Sequence, residues 1–205
     1  MPEQIIVEIP PEESKPEDGK ESGDKEKRQK YTIEVILDPN EDAFRQVCEI
    51  EKESFPEKVQ SSPEDLKEVL ENKDGIHLFI KDEAGEIAGN ILSLRQNQEY
   101  KDLKKFDPDI TNDKDALYVE SVAIRPQKQG MAAFKNAWQA LVEEAKSQHY
   151  KKIAMHARVS TGFSEALQKR YNAKFVRRLQ NWYNFGEPFD YLEIEIPEDN
   201  IEKQK

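Results

Sequence analysis

The segment that most constrains the fold is Ala116–Ile124, the strongest strand prediction in the chain because it is apolar and rich in β-branched residues. A loop at Arg125–Gly130 follows it, and Met131–His149 then has the apolar spacing of a long amphipathic helix. A glycine-containing turn from a strand into a helix directs several backbone N–H groups, and the positive end of the helix dipole, at one point. The unit therefore suits a phosphate or pyrophosphate, although an ordinary β-to-α connection has the same pattern. It contains neither the Walker lysine pattern nor GxGxxG, which argues against an ordinary nucleotide site.

The rest of the chain from residue 31 onward divides into strand and helix patterns. Further strands are predicted at Tyr31–Leu37, Gly75–Lys81, Glu86–Leu94, Lys152–Arg158, Ala173–Leu179 and Phe189–Ile196. Further helices are predicted from Asp38 to Phe55, from Ser62 to Leu70, at Lys101–Phe106 within a polar segment, and at Ser164–Tyr171. This order predicts an α/β fold, in which a mixed β-sheet is flanked by helices on both faces.

The first 30 residues differ in composition from the rest. They are mostly Glu, Asp, Lys, Pro and Gly, with no aromatic residue before Tyr31, so they cannot bury enough apolar surface to offset the entropy of ordering. We therefore predict a disordered acidic tail at 1–30, a folded domain at 31–197 and a polar C-terminal tail at 198–205. A chain of 205 residues is long enough for one domain with a sizeable core and such tails.

The net charge of −11 argues against nucleic-acid binding, which needs a concentrated basic surface. The same charge is compatible with a cationic substrate such as an amine or a basic peptide. Cys48 is the only cysteine, which excludes an intramolecular disulfide. No run approaches the roughly 18 apolar residues of a membrane span, so we expect a soluble, cytoplasmic protein with no membrane attachment.

The central strand, turn and helix together resemble the central motif of the GNAT superfamily of acyl-CoA-dependent N-acyltransferases. The resemblance rests on the sequence VESVAIRP at Val119–Pro126, on the turn, and on the helix through Ala145, and the element order from Tyr31 to Ile196 agrees with it. It implies a partly splayed sheet and acetyl-CoA as co-substrate. It also implies transfer of an acetyl group to a primary amine, on a small molecule or a peptide, by direct attack.

In that family the turn has the form Arg/Gln-x-x-Gly-x-Gly/Ala, and its amides hold the CoA pyrophosphate. Two registers fit: Gln127–Ala132 satisfies the pattern, whereas the ungapped alignment Gln129–Phe134 places Phe134 where the family prefers Gly. The resemblance further implies that strand backbone groups pair with pantetheine, and that the amide near Val122 polarises the thioester carbonyl. The implied cofactor-binding residues are Val122, Ala123, Ile124, Gln127, Lys128, Gln129, Gly130, Met131, Ala132 and Ala133.

Glu120 is our candidate for the general base that takes a proton from the amine. Side-chain alternation along the strand places it on the same face as Tyr118, Val122 and Ile124. A carboxylate within an apolar strand is costly unless it faces a cleft or a partner. The competing interpretation is a Glu that is hydrogen-bonded for structural reasons or simply faces solvent.

Tyr171 is our candidate for the general acid. The family often uses a Tyr in the short helix after the splayed strand, but the matching position here is Gln168. Tyr171 lies three residues further on, on nearly the same helix face, and is able to substitute for it. The competing interpretation is a tyrosine that packs over the sheet. The family's frequent Asn after the splayed strand is also absent, with Ser160 and Thr161 in that stretch.

His156 lies on the splayed strand, where a proton relay competes with an ordinary buried histidine. No histidine has a second ligand at metal spacing, so we predict no metal site. The aromatic loop of Trp182, Tyr183 and Phe185 fits a wall of the acceptor pocket, a seal on the sheet end or a homodimer contact. Two alternatives remain at this stage: a GNAT-like CoA-binding or regulatory module that is weakly active or inactive, and an interaction protein that acts through its acidic tail.

Overall fold

The computed structural model describes residues 30–128 and 131–197. Except for Lys30, the predicted tails at 1–30 and 198–205 lie outside the described residues. Gln129 and Gly130 of the predicted phosphate turn also lie outside them. The strands are β1 (Thr32–Val35), β2 (Leu78–Lys81), β3 (Ile87–Arg95), β4 (Ala116–Ile124), β5 (Lys152–Arg158), β6 (Lys174–Leu179) and β7 (Phe189–Glu195). The helices are α1 (Glu41–Ser54), α2 (Pro63–Leu70), α3 (Gln96–Phe106), α4 (Met131–Ser147) and α5 (Phe163–Tyr171). Single 3₁₀ turns lie at Glu57–Val59, Pro126–Lys128 and Trp182–Asn184.

The strands form one mixed sheet in the order β1-β2-β3-β4-β5-β7-β6. Neighbouring strands are antiparallel except β4 and β5, which are parallel. The predicted α/β fold, a mixed sheet flanked by helices, is confirmed.

Helix starts follow the local sequence. The Asn40 side chain accepts a hydrogen bond from the Ala43 amide at 2.9 Å at the start of α1. Ser62 does the same for the Asp65 amide at 3.1 Å before α2, which has Pro63 at its first position. The exception is α3, which begins at Gln96 rather than at the predicted Lys101 and has no side-chain cap. The buried Gln96 side chain instead donates to the Thr111 carbonyl at 2.8 Å, a contact between distant parts of the chain that has no local sequence signal.

Each face of the sheet is covered by its own core. On one face, α4 and α5 pack residues such as Leu141 and Leu167 against Leu117 and Ile153. On the other face, α1, α2 and α3 contribute a second set. Its fully or nearly fully buried members include Val47, Leu66, Leu103, Phe79 and Tyr118.

The two parallel strands pair only at their beginnings. Ala116, Leu117 and Tyr118 of β4 lie opposite Lys152, Ile153 and Ala154 of β5. Beyond these three pairs β4 continues to Ile124 beside β3, and β5 continues to Arg158 beside β7. The sheet therefore divides at its centre, as the resemblance implied.

The strand β4 also contains a β-bulge at the point where the sheet divides. Its register with β3 changes from Leu92 opposite Ser121 to Ser93 opposite Val119, which leaves Glu120 as the extra residue. Bulges redirect side chains and often lie next to active sites.

The bulge corrects one sequence-based expectation. Simple alternation placed Val122 and Ile124 on the face of Tyr118. The structure packs these two residues in the α4 core together with Val119, whereas Tyr118 lies in the opposite core. The extra residue at Glu120 reverses the alternation. Side chains after Glu120 therefore point to the face of the sheet opposite to the one that simple alternation predicts.

The two buried polar side chains of β3 differ in hydrogen bonding and give a test of the fold. Neither polar atom of Asn90 has a partner among the described residues, whereas the Ser93 hydroxyl bonds both the carbonyl and the amide of Ile76 at 2.6 and 3.2 Å. We expect Asn90→Val to raise the free energy of unfolding by about 1 kcal/mol or more, because it removes unsatisfied buried groups. Ser93→Ala is the matched change and should lower it by about 1–3 kcal/mol. Urea denaturation measures both, and a loss of stability in Asn90→Val would contradict this account.

Candidate active site

A cleft of about 1030 Å³ opens where β4 and β5 separate. Its floor consists of Val119–Val122 of β4 and Met155–Arg158 of β5, the stretches that no longer pair with each other. Residues from α1, α2, α3 and α5 and from the loop after β6 form the walls. Beyond Tyr118 the facing edges of β4 and β5 no longer pair with each other, so a site between them can receive an extended ligand that hydrogen-bonds to main chain.

Glu120 is exposed within this cleft. Protein surrounds the carboxylate on most sides even though the side chain is open to the cleft. This desolvation, followed by the nearby charges of Glu99, Glu51 and Asp65, raises its pKa to about 7. Glu120 makes no hydrogen bond or ion pair with any residue that the structure describes. A carboxylate with these properties is able to take up a proton near neutral pH.

The wall beside Glu120 is acidic. Burial raises the pKa of Glu51, whose carboxylate accepts from the Ser61 amide at 2.9 Å. Burial and then the Asp102 charge raise the pKa of Glu99. The basic residues of the lining are already paired, Lys105 with Asp102 and Arg158 with Glu187. The cleft therefore carries excess negative charge and is complementary to a cation.

Tyr171 also lines the cleft, from α5. Its ring packs edge-on against Phe134 at 5.4 Å and tilted against Trp138 at 5.5 Å between centroids. Burial raises the pKa of its hydroxyl, which makes no hydrogen bond with the described residues. Tyr171 therefore packs against α4 and also borders the cleft. Gln168 folds back onto its own helix, where its amide nitrogen donates to the Ser164 hydroxyl at 3.0 Å.

The predicted cofactor residues fall into two groups. Val122 and Ile124 line the cleft, and Ala123 is buried between them opposite Asn90 of β3. Met131 and Ala132 begin α4, and Ala133, the third residue of this helix, is buried.

The turn before α4 is partly engaged with protein atoms. Gln127 is exposed, whereas the Lys128 amide donates to the Arg125 carbonyl at 2.8 Å and its side chain to Asp82 at 2.6 Å. The Lys128 amide is therefore occupied in this conformation. Phe134, which the ungapped register places at the family's Gly, packs its ring edge-on against Phe163 at 5.3 Å within the α4–α5 contact.

One buried network at the base of the cleft was only partly visible in the sequence. The Tyr118 hydroxyl lies 2.7 Å from Nδ1 of His156, and Nε2 of His156 lies 3.1 Å from Asp107. Asp107 also accepts hydrogen bonds from Arg177, including one of 2.8 Å from Nε. Of these four residues, only His156 has a signal in the sequence that suggests a role in proton transfer. Asp107 follows α3 and Arg177 lies on β6, 70 residues away, so no local pattern links them.

The aromatic loop after β6 covers part of this network. Trp182 stacks on His156 with centroids 3.6 Å apart, and Tyr183 stacks on Phe106 at 4.0 Å. Trp182, Tyr183 and Phe185 all border the cleft, which agrees with the pocket-wall interpretation. Tyr183 has a φ of 48°, a left-handed conformation that is rare for a bulky residue.

Two negative observations concern only residues 30–128 and 131–197. No group of His, Cys, Asp or Glu in these ranges is arranged to hold a metal ion. None of the helices that the structure describes has the length and apolar character needed to cross a membrane.

Comparison with known proteins extends these observations. The sequence model of the acetyltransferase (GNAT) family matches residues 44–172. Among curated proteins, none matches this chain.

Similar solved structures include the ribosomal-protein-S18-alanine N-acetyltransferase of Escherichia coli, with 11% identity, a TM-score of 0.62, and coverage of 84% of this chain and 99% of that one. Ard1 from Thermoplasma volcanium has 12% identity, a TM-score of 0.63, and coverage of 82% and 99%. Arabidopsis thaliana NAA60 in complex with acetyl-CoA has 18% identity, a TM-score of 0.59, and coverage of 80% and 97%. These structures share the fold, and the family match over most of the sheet shows that the chain belongs to the GNAT acetyltransferase family.

Proposed function

We propose that this protein is an acetyl-CoA-dependent N-acetyltransferase that acts on a primary amine by direct attack. The observation that carries the proposal is Glu120, a carboxylate with no partner among the described residues, placed by a bulge in the cleft between β4 and β5. The family membership supplies the reaction class.

The described residues fit an acetyl-CoA site on the side of the cleft nearest α4. Val122 and Ile124 border the opening between the strands, where main-chain groups are able to pair with pantetheine and the Val122 amide to polarise a carbonyl. Bound acetyl-CoA would supply the acetyl thioester. Tyr171 is protonated at neutral pH, since burial raises its pKa further above that range, and it lies at the cleft edge, where a strongly basic thiolate is able to take its proton.

The acidic wall supports a cationic acceptor. An amine reaches the site mostly as an ammonium ion, which the charges of Glu51, Glu99 and Asp65 favour. Glu120 takes up the proton that must leave before the nitrogen is nucleophilic. The small-molecule and peptide classes of amine both satisfy this description.

A second candidate is a GNAT-like module that binds CoA and turns over weakly or not at all. Two observations favour it: the Lys128 amide is engaged with Arg125, and Gln168 is bonded to Ser164 at the place where the family often has its acid. Release of free thiol from acetyl-CoA in the presence of a panel of amines discriminates the two. Binding without thiol release would favour the module.

The phosphate turn is tested by binding. We expect calorimetry to detect acetyl-CoA binding to the unmodified protein, and Gly130→Glu to abolish it because a carboxylate would repel the pyrophosphate. The control is Gln148→Glu, which adds the same charge at an exposed position beyond the end of α4 and should bind normally. Unchanged affinity in Gly130→Glu would exclude the turn as the site, and no binding by the unmodified protein would overturn the proposed function.

The base is tested by kinetics. We expect Glu120→Gln to lower kcat/KM for the amine by about 100-fold or more, because the proton acceptor is lost. In the unmodified enzyme, kcat/KM should rise with pH through about 7 as Glu120 loses its proton, and this rise should be absent in the variant. Glu64→Gln, an exposed residue of α2 outside the cleft, is the charge-matched control and should behave normally.

A stability measurement shows whether the Glu120→Gln variant is correctly folded. The folded-state pKa lies above the usual value of 4.5, so ionisation of Glu120 disfavours the folded state. This cost is absent below about pH 4.5 and complete above about pH 7. The variant should therefore be at least as stable as the unmodified protein at pH 8. A destabilised variant, or an unaltered pH profile, would contradict the assignment of Glu120.

A further inference from the structure

The network of Tyr118, His156, Asp107 and Arg177 bridges the point where the two central strands separate. Tyr118 belongs to the last residue pair of β4 and β5, opposite Ala154, and His156 lies two residues further along β5. The side-chain bond between Tyr118 and His156 thus follows directly after the last backbone pair. Both residues line the cleft.

The imidazole of His156 is held from several directions at once. Its side chain is 1% exposed, Trp182 stacks on one face, and Asp107 accepts from Nε2. Desolvation lowers the pKa of His156 to about 4, against the opposing effect of Asp107. Burial opposes the ionisation of Asp107, but hydrogen bonds from His156 and Arg177 lower its pKa. The resting network is therefore a neutral imidazole beside a carboxylate that is already ionised.

These contacts fix the direction of every hydrogen bond in the network. Ionised Asp107 is only able to accept, so Nε2 of His156 carries the hydrogen of the neutral ring. Nδ1 consequently has a free lone pair and requires a donor, which is the Tyr118 hydroxyl at 2.7 Å. Because its hydrogen is used in this way, the Tyr118 oxygen presents only lone pairs to other groups. Tyr118 lines the cleft, where this oxygen is able to act as an acceptor, and burial followed by the charge of Glu120 raises its pKa.

We propose that Tyr118 is a catalytic residue of the proposed acetyl transfer, whose oxygen accepts a proton from the attacking nitrogen while its own proton moves to Nδ1 of His156. The proposal rests on the proposed function. It assigns a separate acceptor to each of the two protons that an ammonium substrate loses when it becomes an amide.

The amine enters this step after it has given its first proton to Glu120. The nitrogen forms a bond to the acetyl carbon, the carbon–sulfur bond breaks, and the sulfur leaves with the electron pair as a thiolate. The nitrogen gives its second proton to Tyr118, and the imidazolium of His156 forms between Tyr118 and ionised Asp107. Tyr171 gives its proton to the thiolate; of the protons held by His156 and Glu120, one then restores Tyr171 through solvent and the other is released to water. The low basicity of His156 suits a proton from a nitrogen that has become acidic through its bond to the carbonyl.

The chain provides a matched control for the loss of a buried tyrosine hydroxyl. Tyr191 packs on the same imidazole, with ring centroids 4.8 Å apart, and is equally buried. Its hydroxyl donates to Gln96 at 3.2 Å on the side away from the cleft, and Tyr191 is not part of the lining. Tyr191→Phe therefore removes a hydroxyl from the same cluster without removing an acceptor from the cleft.

The experiment compares steady-state kinetics of the full-length unmodified protein, Tyr118→Phe and Tyr191→Phe, with acetyl-CoA and the best amine from the panel. We expect Tyr118→Phe to lower kcat by about 100-fold, with KM for acetyl-CoA within twofold of normal, and Tyr191→Phe to remain within threefold in both constants. His156→Gln, which keeps hydrogen-bonding atoms but takes up no proton, should lower kcat by a similar factor. Circular dichroism and thermal melting establish that each variant is folded.

Equal kcat in Tyr118→Phe and Tyr191→Phe would overturn the relay while leaving the proposed acetyl transfer in place. Absence of turnover by the unmodified protein would overturn both. If the Tyr118 and His156 variants do not fold, the relay is tested instead by a proton inventory of the unmodified enzyme in mixtures of H₂O and D₂O. A bowed dependence of kcat on deuterium content, which requires two or more protons in motion, supports the relay, and a linear dependence overturns it.

Discussion

The candidate site depends on one feature of the sheet, the separation of β4 and β5 after their third residue pair. Parallel neighbours in the centre of a sheet normally satisfy each other's backbone groups along their length. Here each strand instead stays with its antiparallel partner, β3 or β7, so the separation leaves main-chain groups facing an open cleft. The two cores cover opposite faces of the sheet, and each of them includes residues from strands on both sides of the opening.

The bulge at Glu120 determines which side chains of β4 face the cleft between β4 and β5. Without the extra residue, side chains after Val119 would continue the original alternation, and Val122 would point toward the α1 face. With it, Val122 and Ile124 pack toward α4, and Glu120 projects into the cleft close to the carboxylates of α1, α2 and α3. A single register shift thus places the acidic group beside α1, α2 and α3 and the apolar groups on the side of α4.

Much of the fold was predictable from sequence because its elements are locally encoded. The β-branched run of β4, the cap at Ser62 and the apolar period of α4 each indicate one element without reference to the rest. The start of α3 was not predictable, because it depends on the contact of Gln96 with Thr111. Glu120 could also be identified as a candidate base from local sequence, because a carboxylate within an apolar strand is costly unless it faces a cleft or a partner. Asp107 and Arg177 have no such signal, because their meeting with His156 depends on the sheet order.

The acidic wall links the stability of the domain to what occupies the cleft. Burial and then the charges of Glu99, Glu51 and Asp65 raise the pKa of Glu120, so the ionised carboxylate carries an unfavourable electrostatic free energy in the folded domain. A cation bound beside these carboxylates would relieve this repulsion and, by linkage, shift Glu120 toward its ionised form. The fold thus couples the charge of whatever enters the cleft to the protonation of Glu120.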